Sequence, residues 1–199
     1  MENILESILR AIQQTSFLEW TAVILGVSYV ISITYKKMIA WLFALISSSI
    51  YVYLCFSAQL YLESFLQIFY VLTAIYGWLK WRKDTANKQI ISWGFKLNLV
   101  NISLSSILTL SIGYIFSKYT NQANPYMDAF TTIFSLIATF MVARKVLENW
   151  IYWIIIDAVS IILYSSREFY LTSLLFTIYT LLALFGFIKW YKNYKLINA

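Results

Sequence analysis

Seven runs of about 18 or more mainly apolar residues follow one another along the chain, with short polar segments between them. A run of this length is long enough for an α-helix to cross the hydrocarbon core of a bilayer. The runs cover residues 18–35, 40–57, 61–79, 97–116, 126–143, 147–164 and 169–188. The pattern therefore predicts an all-α integral membrane protein with seven transmembrane helices, anchored in the lipid bilayer.

The composition agrees with a membrane protein and removes several kinds of chemistry. Of the 199 residues, 61% are hydrophobic and only 12% are charged, which is unlike an ordinary soluble domain. Histidine is absent and Cys55 is the only cysteine, so an imidazole metal site, a thiolate cluster and an internal disulfide are excluded. We expect no metal, no cofactor and no catalytic residues, and an intramembrane enzyme is disfavoured.

The basic residues predict the orientation of the chain. They lie at the ends of the apolar runs instead of on one polar face, so the net charge of +6 indicates topology and not nucleic-acid binding. With seven spans, Arg10, Lys118 and Arg167 share one side of the membrane, and the other twelve basic residues lie opposite. Short cytoplasmic loops accumulate Lys and Arg. We therefore predict that the protein lies in the bacterial cytoplasmic membrane, with its N-terminus outside the cell and its C-terminus in the cytoplasm. The long polar connection, residues 80–96, is interpreted as a linker that sets this topology.

The chain contains an internal repeat. An offset of 109 residues aligns "SAQLYLESFLQIFYVLTAIYGWLKW" (57–81) with "SREFYLTSLLFTIYTLLALFGFIKW" (166–190) without a gap. Coincidence in a biased composition is the alternative, but shared Gly, Ser, Lys and Trp in one register favour a true repeat. The predicted order is an extracytoplasmic segment (1–17), repeat 1 (18–81), a linker with helix four (82–117), repeat 2 (118–190) and a cytoplasmic tail (191–199).

This 3+1+3 order makes the two repeats parallel, because equivalent helices enter the membrane in the same direction. Parallel repeats are typical of SWEET-like transporters, whose substrate sites lie near the midplane between the repeats. One ligand on a pseudo-twofold axis touches the two halves differently, so the positions at which the repeats differ are informative. These breaks pair Trp153 with Ala44, Asp157 with Ser48, and Gln67 with Phe176.

Trp150, Trp153 and Asp157 are predicted to line one wall of a pocket. At about 100° per residue, they fall within roughly 60° of arc on one helix. Asp157 is the one acidic residue predicted near mid-membrane, where carboxylates usually face a cavity or a partner. Indoles stack on flat rings and attract cations, so the three side chains suit a small, flat, cationic aromatic ligand. The alternatives are an interhelical hydrogen bond for Asp157 and the interfacial aromatic belt for Trp150.

Further side chains complete the candidate site. Polar groups on helices three and four could bind ligand hydroxyls or amides, or could join helices to one another. Aromatic residues that are repeat counterparts of site residues are included as well. The additional candidates are Gln67, Tyr70, Asn98, Asn101, Trp41 and Tyr179.

Three segments resemble the PnuC-type vitamin transporters, the nicotinamide riboside transporter family: "LISSSIYVYL", "LQIFYVLTAIYGWLKW" and "ARKVLENWIYWIIIDAVSIILY". The resemblance extends from Glu19 to Trp190. The third segment includes the Trp-x-x-Trp signature of the family as Trp150 and Trp153, which the resemblance implicates in stacking on the substrate ring. It also implies a seven-helix fold assembled as a homotrimer.

The mechanism that the resemblance implies is facilitated diffusion of nicotinamide riboside, with alternating access and trapping by a cytosolic kinase. The sequence agrees in having no Walker-type phosphate loop. Nicotinamide riboside carries a pyridinium, which fits the stacking and the carboxylate. Thiamine, the substrate of close relatives, has a flat thiazolium and remains the alternative. Proton coupling through Asp157 and a receptor or structural role stay open as well.

Overall fold

The computed structural model describes residues 4–58, 61–83, 89–120 and 123–198. These residues form α-helices joined by short turns, with a single isolated β-bridge between Ile91 and Val146. The helices are α1 (Ile4–Gln14), α2 (Phe17–Thr34), α3 (Ile39–Ser57), α4 (Tyr61–Lys83), α5 (Gly94–Tyr119), α6 (Pro125–Ala143), α7 (Asn149–Ser166) and α8 (Tyr170–Asn198). The prediction of an all-α fold is thus confirmed for the described part of the chain.

Six of these helices are long and apolar enough to cross a membrane: α2, α3, α5, α6, α7 and α8. Their mean hydropathy ranges from 1.3 to 2.1, and each corresponds to one of the predicted apolar runs. The remaining predicted span corresponds to α4, a helix of 23 residues that is not among the six. It carries Glu63 and Gln67 as well as three basic residues in its last turn. A seventh span therefore stays a prediction.

Local sequence signals fix where the helices begin and turn. The hydroxyl of Ser16 accepts a hydrogen bond from the backbone N–H of Glu19 over 3.1 Å, which caps the start of α2. Pro125 opens α6, where its missing N–H costs nothing. The α2–α3 and α6–α7 turns each pass through a residue with positive φ, Lys36 at 54° and Lys145 at 57°. These two lysines are repeat counterparts, so both repeats reverse direction in the same way.

The packing of the helices produces a closed ring of six. Among the described residues, α2 contacts α3 and α8, α3 contacts α4, α4 contacts α6, α6 contacts α7, and α7 contacts α8. The ring therefore joins a first set of three helices, α2–α4, to a second set, α6–α8. α5 packs on α6, outside the ring, and α1 packs on α8. α1 exposes much of the apolar stripe that runs along it, and the sequence reading did not predict it as a helix.

Four buried tryptophans pack in two equivalent pairs. The ring centroids of Trp41 and Trp81 lie 5.3 Å apart with an interplanar angle of 87°. Those of Trp150 and Trp190 lie 5.5 Å apart, also at 87°. The offset of 109 residues converts the first pair into the second, and edge-to-face packing of this kind stabilises beyond simple burial. The repeat found in the sequence is therefore also a repeat of side-chain contacts.

Glycines make room for the inner tryptophan of each pair. A Cβ added at Gly77 would lie 2.5 Å from the indole ring of Trp41. A Cβ added at Gly186 would lie 2.6 Å from the ring of Trp150. Real side chains essentially never approach this closely, so α4 and α8 need glycine at these positions. This explains why glycine is shared by the two aligned segments.

The end of the linker docks on the turn between α6 and α7. The Ile91 N–H donates to the carbonyl oxygen of Lys145 over 3.1 Å, and the Leu147 N–H donates to the carbonyl oxygen of Ile91 over 2.8 Å. The carboxylate of Glu148 accepts hydrogen bonds from the hydroxyl of Ser92 and from the backbone N–H of Gly94, at the start of α5. The predicted topology-setting segment thus also anchors α5. Its central part, residues 84–88, lies outside the described residues.

Candidate substrate-binding site

A cavity of about 610 Å³ lies inside the ring of helices. Side chains from all six ring helices line it, and Ile112 and Phe116 of α5 reach it as well. A volume of this size is typical of pockets that enclose a small organic ligand. The cavity lies between the two sets of three helices, where a repeat transporter is expected to hold its substrate.

The structure brings most of the predicted site residues to this cavity. Side chains from α3, α4, α7 and α8 meet there, although they are far apart in the sequence. The predicted residues that line it are Trp41, Gln67, Tyr70, Trp150, Trp153, Asp157 and Tyr179. The stripe of Trp150, Trp153 and Asp157 and the positions at which the repeats differ therefore line the same cavity.

Asp157 lies at the middle of α7 and is only 3% exposed. Within the described part of the chain, its carboxyl forms no ion pair or hydrogen bond. Tyr70 and Tyr179 line the same cavity as Asp157. An isolated charge at this depth is costly in a membrane, so a cation bound in the cavity would stabilise the ionised carboxylate.

The two tryptophans of the signature are buried to different degrees. Trp150 is 2% exposed because its ring is packed against Gly186 and Trp190. Trp153, one turn further along α7, is only half-buried and also lines the cavity. A free indole face can stack on a flat aromatic ring. Trp153 is thus the more accessible of the two indoles, while the Trp150 ring is held by its packing against α8.

Asn98 and Asn101 are not among the residues that line this cavity. Both lie on α5, which packs on α6 outside the ring. Their Nδ2 atoms donate to the carbonyl oxygens of Gly94 and Leu97, each over 2.8 Å. The Asn98 Oδ1 atom accepts a hydrogen bond from the hydroxyl of Tyr152 over 3.2 Å. Asn98 therefore joins helices, which was the alternative interpretation of this polar stripe.

The sequence reading missed several residues of the cavity wall. Tyr29 lines the cavity, and its repeat counterpart is Ala138. The two repeats therefore differ at this position, as they do at Trp153. A complete search for such breaks would have found it. Arg167 and Asp128 also line the cavity and form an ion pair. Their pairing had no signal in the sequence, since it depends on how α6 packs against α7.

The sequence profile of the family described as nicotinamide mononucleotide transporter matches residues 16–192 of this chain. The chain belongs to this family. The match includes the six candidate spans, apart from the last residues of α8, and all the cavity residues named above. The protein is thus a multi-pass membrane protein of a transporter family.

Individual relatives agree with the family assignment. The chain is 24% identical to the nicotinamide riboside transporter PnuC of Escherichia coli (strain K12), over 89% of this chain and 86% of the relative. It is 26% identical to the PnuC of Neisseria mucosa, over 90% of this chain and 74% of the relative. The riboflavin/roseoflavin transporter RibM of Streptomyces davaonensis is 23% identical, over 59% of this chain and 58% of the relative.

The fold matches that of a solved transporter. The crystal structure of the vitamin B3 transporter PnuC superposes with a TM-score of 0.74 at 22% sequence identity. The match covers 96% of this chain and 88% of the other. The helix arrangement described above is therefore that of a known membrane transporter fold.

Proposed function

We propose that this protein transports nicotinamide riboside across the cytoplasmic membrane by facilitated diffusion. The observation that carries the proposal is the buried carboxylate of Asp157, one turn from the half-buried indole of Trp153, with both side chains lining one cavity. The pyridinium of nicotinamide riboside is flat and positively charged, so it can stack on the indole and neutralise the carboxylate. The names of the PnuC relatives support the same substrate.

The charges of the cavity favour nicotinamide riboside over nicotinamide mononucleotide, the compound in the description of the family. A phosphate group would need a cation or several free donors. Among the described residues that line the cavity, Arg167 is the one basic side chain, and it is paired with Asp128. Glu63 and Asp157 add further negative potential. An uncharged ribose is therefore the better fit.

The proposed architecture is the 3+1+3 arrangement, with α4 as the seventh span and α5 as the linker helix. Three observations support it: the closed ring of two three-helix sets, the position of α5 outside that ring, and the tryptophan pairs related by the 109-residue offset. The distribution of basic residues supports an external N-terminus and a cytoplasmic C-terminus. α5 has an extended apolar surface, which would suit a homotrimer in the membrane.

Transport in this proposal requires no energy source. The two three-helix sets move relative to each other and open the cavity to one side at a time. Net uptake follows the gradient, and a cytosolic kinase maintains it by adding a phosphate to the riboside. The phosphorylated product would meet the acidic cavity without a free cationic partner, so it would not leave by the same route.

Thiamine is the second candidate, because the observed carboxylate and indole would recognise any flat aromatic cation. Its thiazolium could occupy the place of the pyridinium. Neither Trp153 nor Asp157 discriminates between the two ring systems. The contacts to the rest of the ligand would decide between them.

Binding of nicotinamide riboside, thiamine and riboflavin to the purified protein, measured side by side by calorimetry in detergent, tests the proposal. We expect the riboside to bind most tightly and Asp157→Asn to weaken its binding. A preference for thiamine would move the function to thiamine uptake with the same site. Binding of riboflavin alone would contradict the role given to the carboxylate, since the flavin ring is neutral.

A further inference from the structure

Tyr70 and Tyr179 are repeat counterparts that line the same cavity, but their hydroxyls have different surroundings. The side chain of Ser135 lies close to the hydroxyl of Tyr70. The repeat counterpart of Ser135 is Gly26, which has no side chain. The Tyr70 hydroxyl therefore has a polar side chain beside it, while the equivalent neighbour of the Tyr179 hydroxyl is missing.

Gly26 lies directly beside the hydroxyl of Tyr179. A Cβ added at Gly26 would be 2.8 Å from the Tyr179 Oη atom and 3.6 Å from the Ser47 Oγ atom. The hydroxyl of Ser47 donates to the carbonyl oxygen of Ala22 over 2.8 Å, so its proton is already used. Among the residues that the structure describes, none forms a hydrogen bond with Tyr179 Oη. The glycine thus leaves this hydroxyl both space and free hydrogen-bonding capacity.

We infer that the hydroxyl of Tyr179 binds a hydroxyl group of the transported ligand, and that Gly26 is the residue that makes it available. The inference deepens the proposed function and rests on it. Asp157 lines the same cavity as Tyr179, so a ligand hydroxyl bound there would have both a donor and an acceptor available. The ligand class is a flat cation that carries a polyhydroxylated substituent. Gly26 and Tyr179 are then specificity determinants, whereas Tyr70 positions α4 against α6.

The first test compares Tyr179→Phe with its repeat counterpart Tyr70→Phe. Each substitution removes one hydroxyl and keeps the ring. We expect Tyr179→Phe to weaken binding of nicotinamide riboside about tenfold, as for loss of a ligand hydrogen bond, and Tyr70→Phe to weaken it less. The preference for the riboside over the N-methylnicotinamide cation, which lacks the ribose, should fall by the same factor in Tyr179→Phe only. An equal or larger loss of that preference in Tyr70→Phe overturns the inference.

A second pair of variants leaves both tyrosines in place. Gly26→Ser puts a hydroxyl beside Tyr179, as Ser135 does beside Tyr70, and Ser135→Ala is the matched control. We expect Gly26→Ser to lower the preference for the riboside, and to do so more than Ser135→Ala. Retention of the full preference in folded Gly26→Ser, judged by its thermal melting, overturns the inference.

The two proposals fail in different ways. If the wild-type protein binds neither cation, the proposed function is wrong and the inference falls with it. If the wild type binds both cations and Tyr179→Phe weakens both equally, the proposed function stands and only the role of Tyr179 is wrong.

Discussion

Trp190, at the cytoplasmic end proposed for α8, donates its indole N–H to the backbone carbonyl oxygen of Thr34 over 3.2 Å. This bond joins the second three-helix set to the first. Its repeat counterpart runs from the indole N–H of Trp81 to the carbonyl oxygen of Ala143 over 3.0 Å, in the opposite sense. Both bonds are buried, and both must break if the two sets separate at this end. We call this reciprocal pair of hydrogen bonds the latch.

Loss of the latch should favour opening of the cavity at this end. The double variant Trp81→Phe, Trp190→Phe keeps aromatic packing and removes both N–H donors. Since a buried hydrogen bond contributes about 1 kcal/mol, roughly fivefold per bond, loss of both bonds should raise the open population about 25-fold. The variant Ala183→Cys, made on a Cys55→Ser background, reports this opening, because Ala183 is buried in the cavity wall. Its modification by an impermeant thiol reagent in inside-out vesicles should be faster, and an unchanged rate would contradict the latch.

Asp157→Asn should weaken binding of a cationic ligand by about tenfold to a hundredfold, because a desolvated charge pair is lost. The side chain keeps its size, so packing is preserved. Binding of a neutral ligand such as nicotinamide is the internal control and should change little. Calorimetry on the folded variant gives both values. Equal losses for the charged and the neutral ligand would show that Asp157 shapes the cavity without contributing its charge.

The two signature tryptophans should respond differently to truncation. Trp153→Ala removes the free indole face and should cost binding about tenfold, within the range for aromatic stacking, with a modest effect on melting. Trp150→Ala removes a ring packed on Gly186 and Trp190, and should lower the free energy of unfolding by about 3 kcal/mol or more. Melting and ligand titration of both variants decide this. A larger binding loss in folded Trp150→Ala would reverse the roles.

Gly77→Ala and Gly186→Ala should destabilise the protein to a similar extent. Each new methyl group would collide with a buried indole ring at about the same distance, 2.5 Å in one case and 2.6 Å in the other. Overpacking of this kind costs about 1–3 kcal/mol. Thermal melting in detergent measures both. A clear difference between the two variants would argue against equivalent packing in the two repeats.

The sequence predicted the helices well because hydrocarbon demands long apolar runs and leaves few alternatives. Asp157 could be found because a carboxylate in the middle of such a run is rare. Asn98 was predicted at the site but does not line the cavity, because helical periodicity tells which side chains share a face, but not which helix that face meets. The ion pair of Arg167 with Asp128 was beyond reach for the same reason. Such contacts depend on packing between distant segments.

The internal repeat was the most useful guide to the site. The differences between the repeats point to Trp153 and Asp157. The repeats also differ at Tyr29 and at Gly26, which lie at the same cavity. Glycine carries little hydropathy signal, so a scan for polar or aromatic residues passes over it. The functional meaning of Gly26 becomes visible only when the hydroxyl of Tyr179 is placed beside it.

Uptake of labelled nicotinamide riboside into liposomes containing the purified protein tests the central claim most directly. We predict rapid equilibration down the gradient without ATP or an imposed pH gradient, saturation by excess unlabelled riboside, and strongly reduced uptake for Asp157→Asn. Uptake by the wild-type protein no faster than by protein-free liposomes, with the riboside shown to bind, would contradict transport. Uptake that requires a pH gradient would contradict facilitated diffusion.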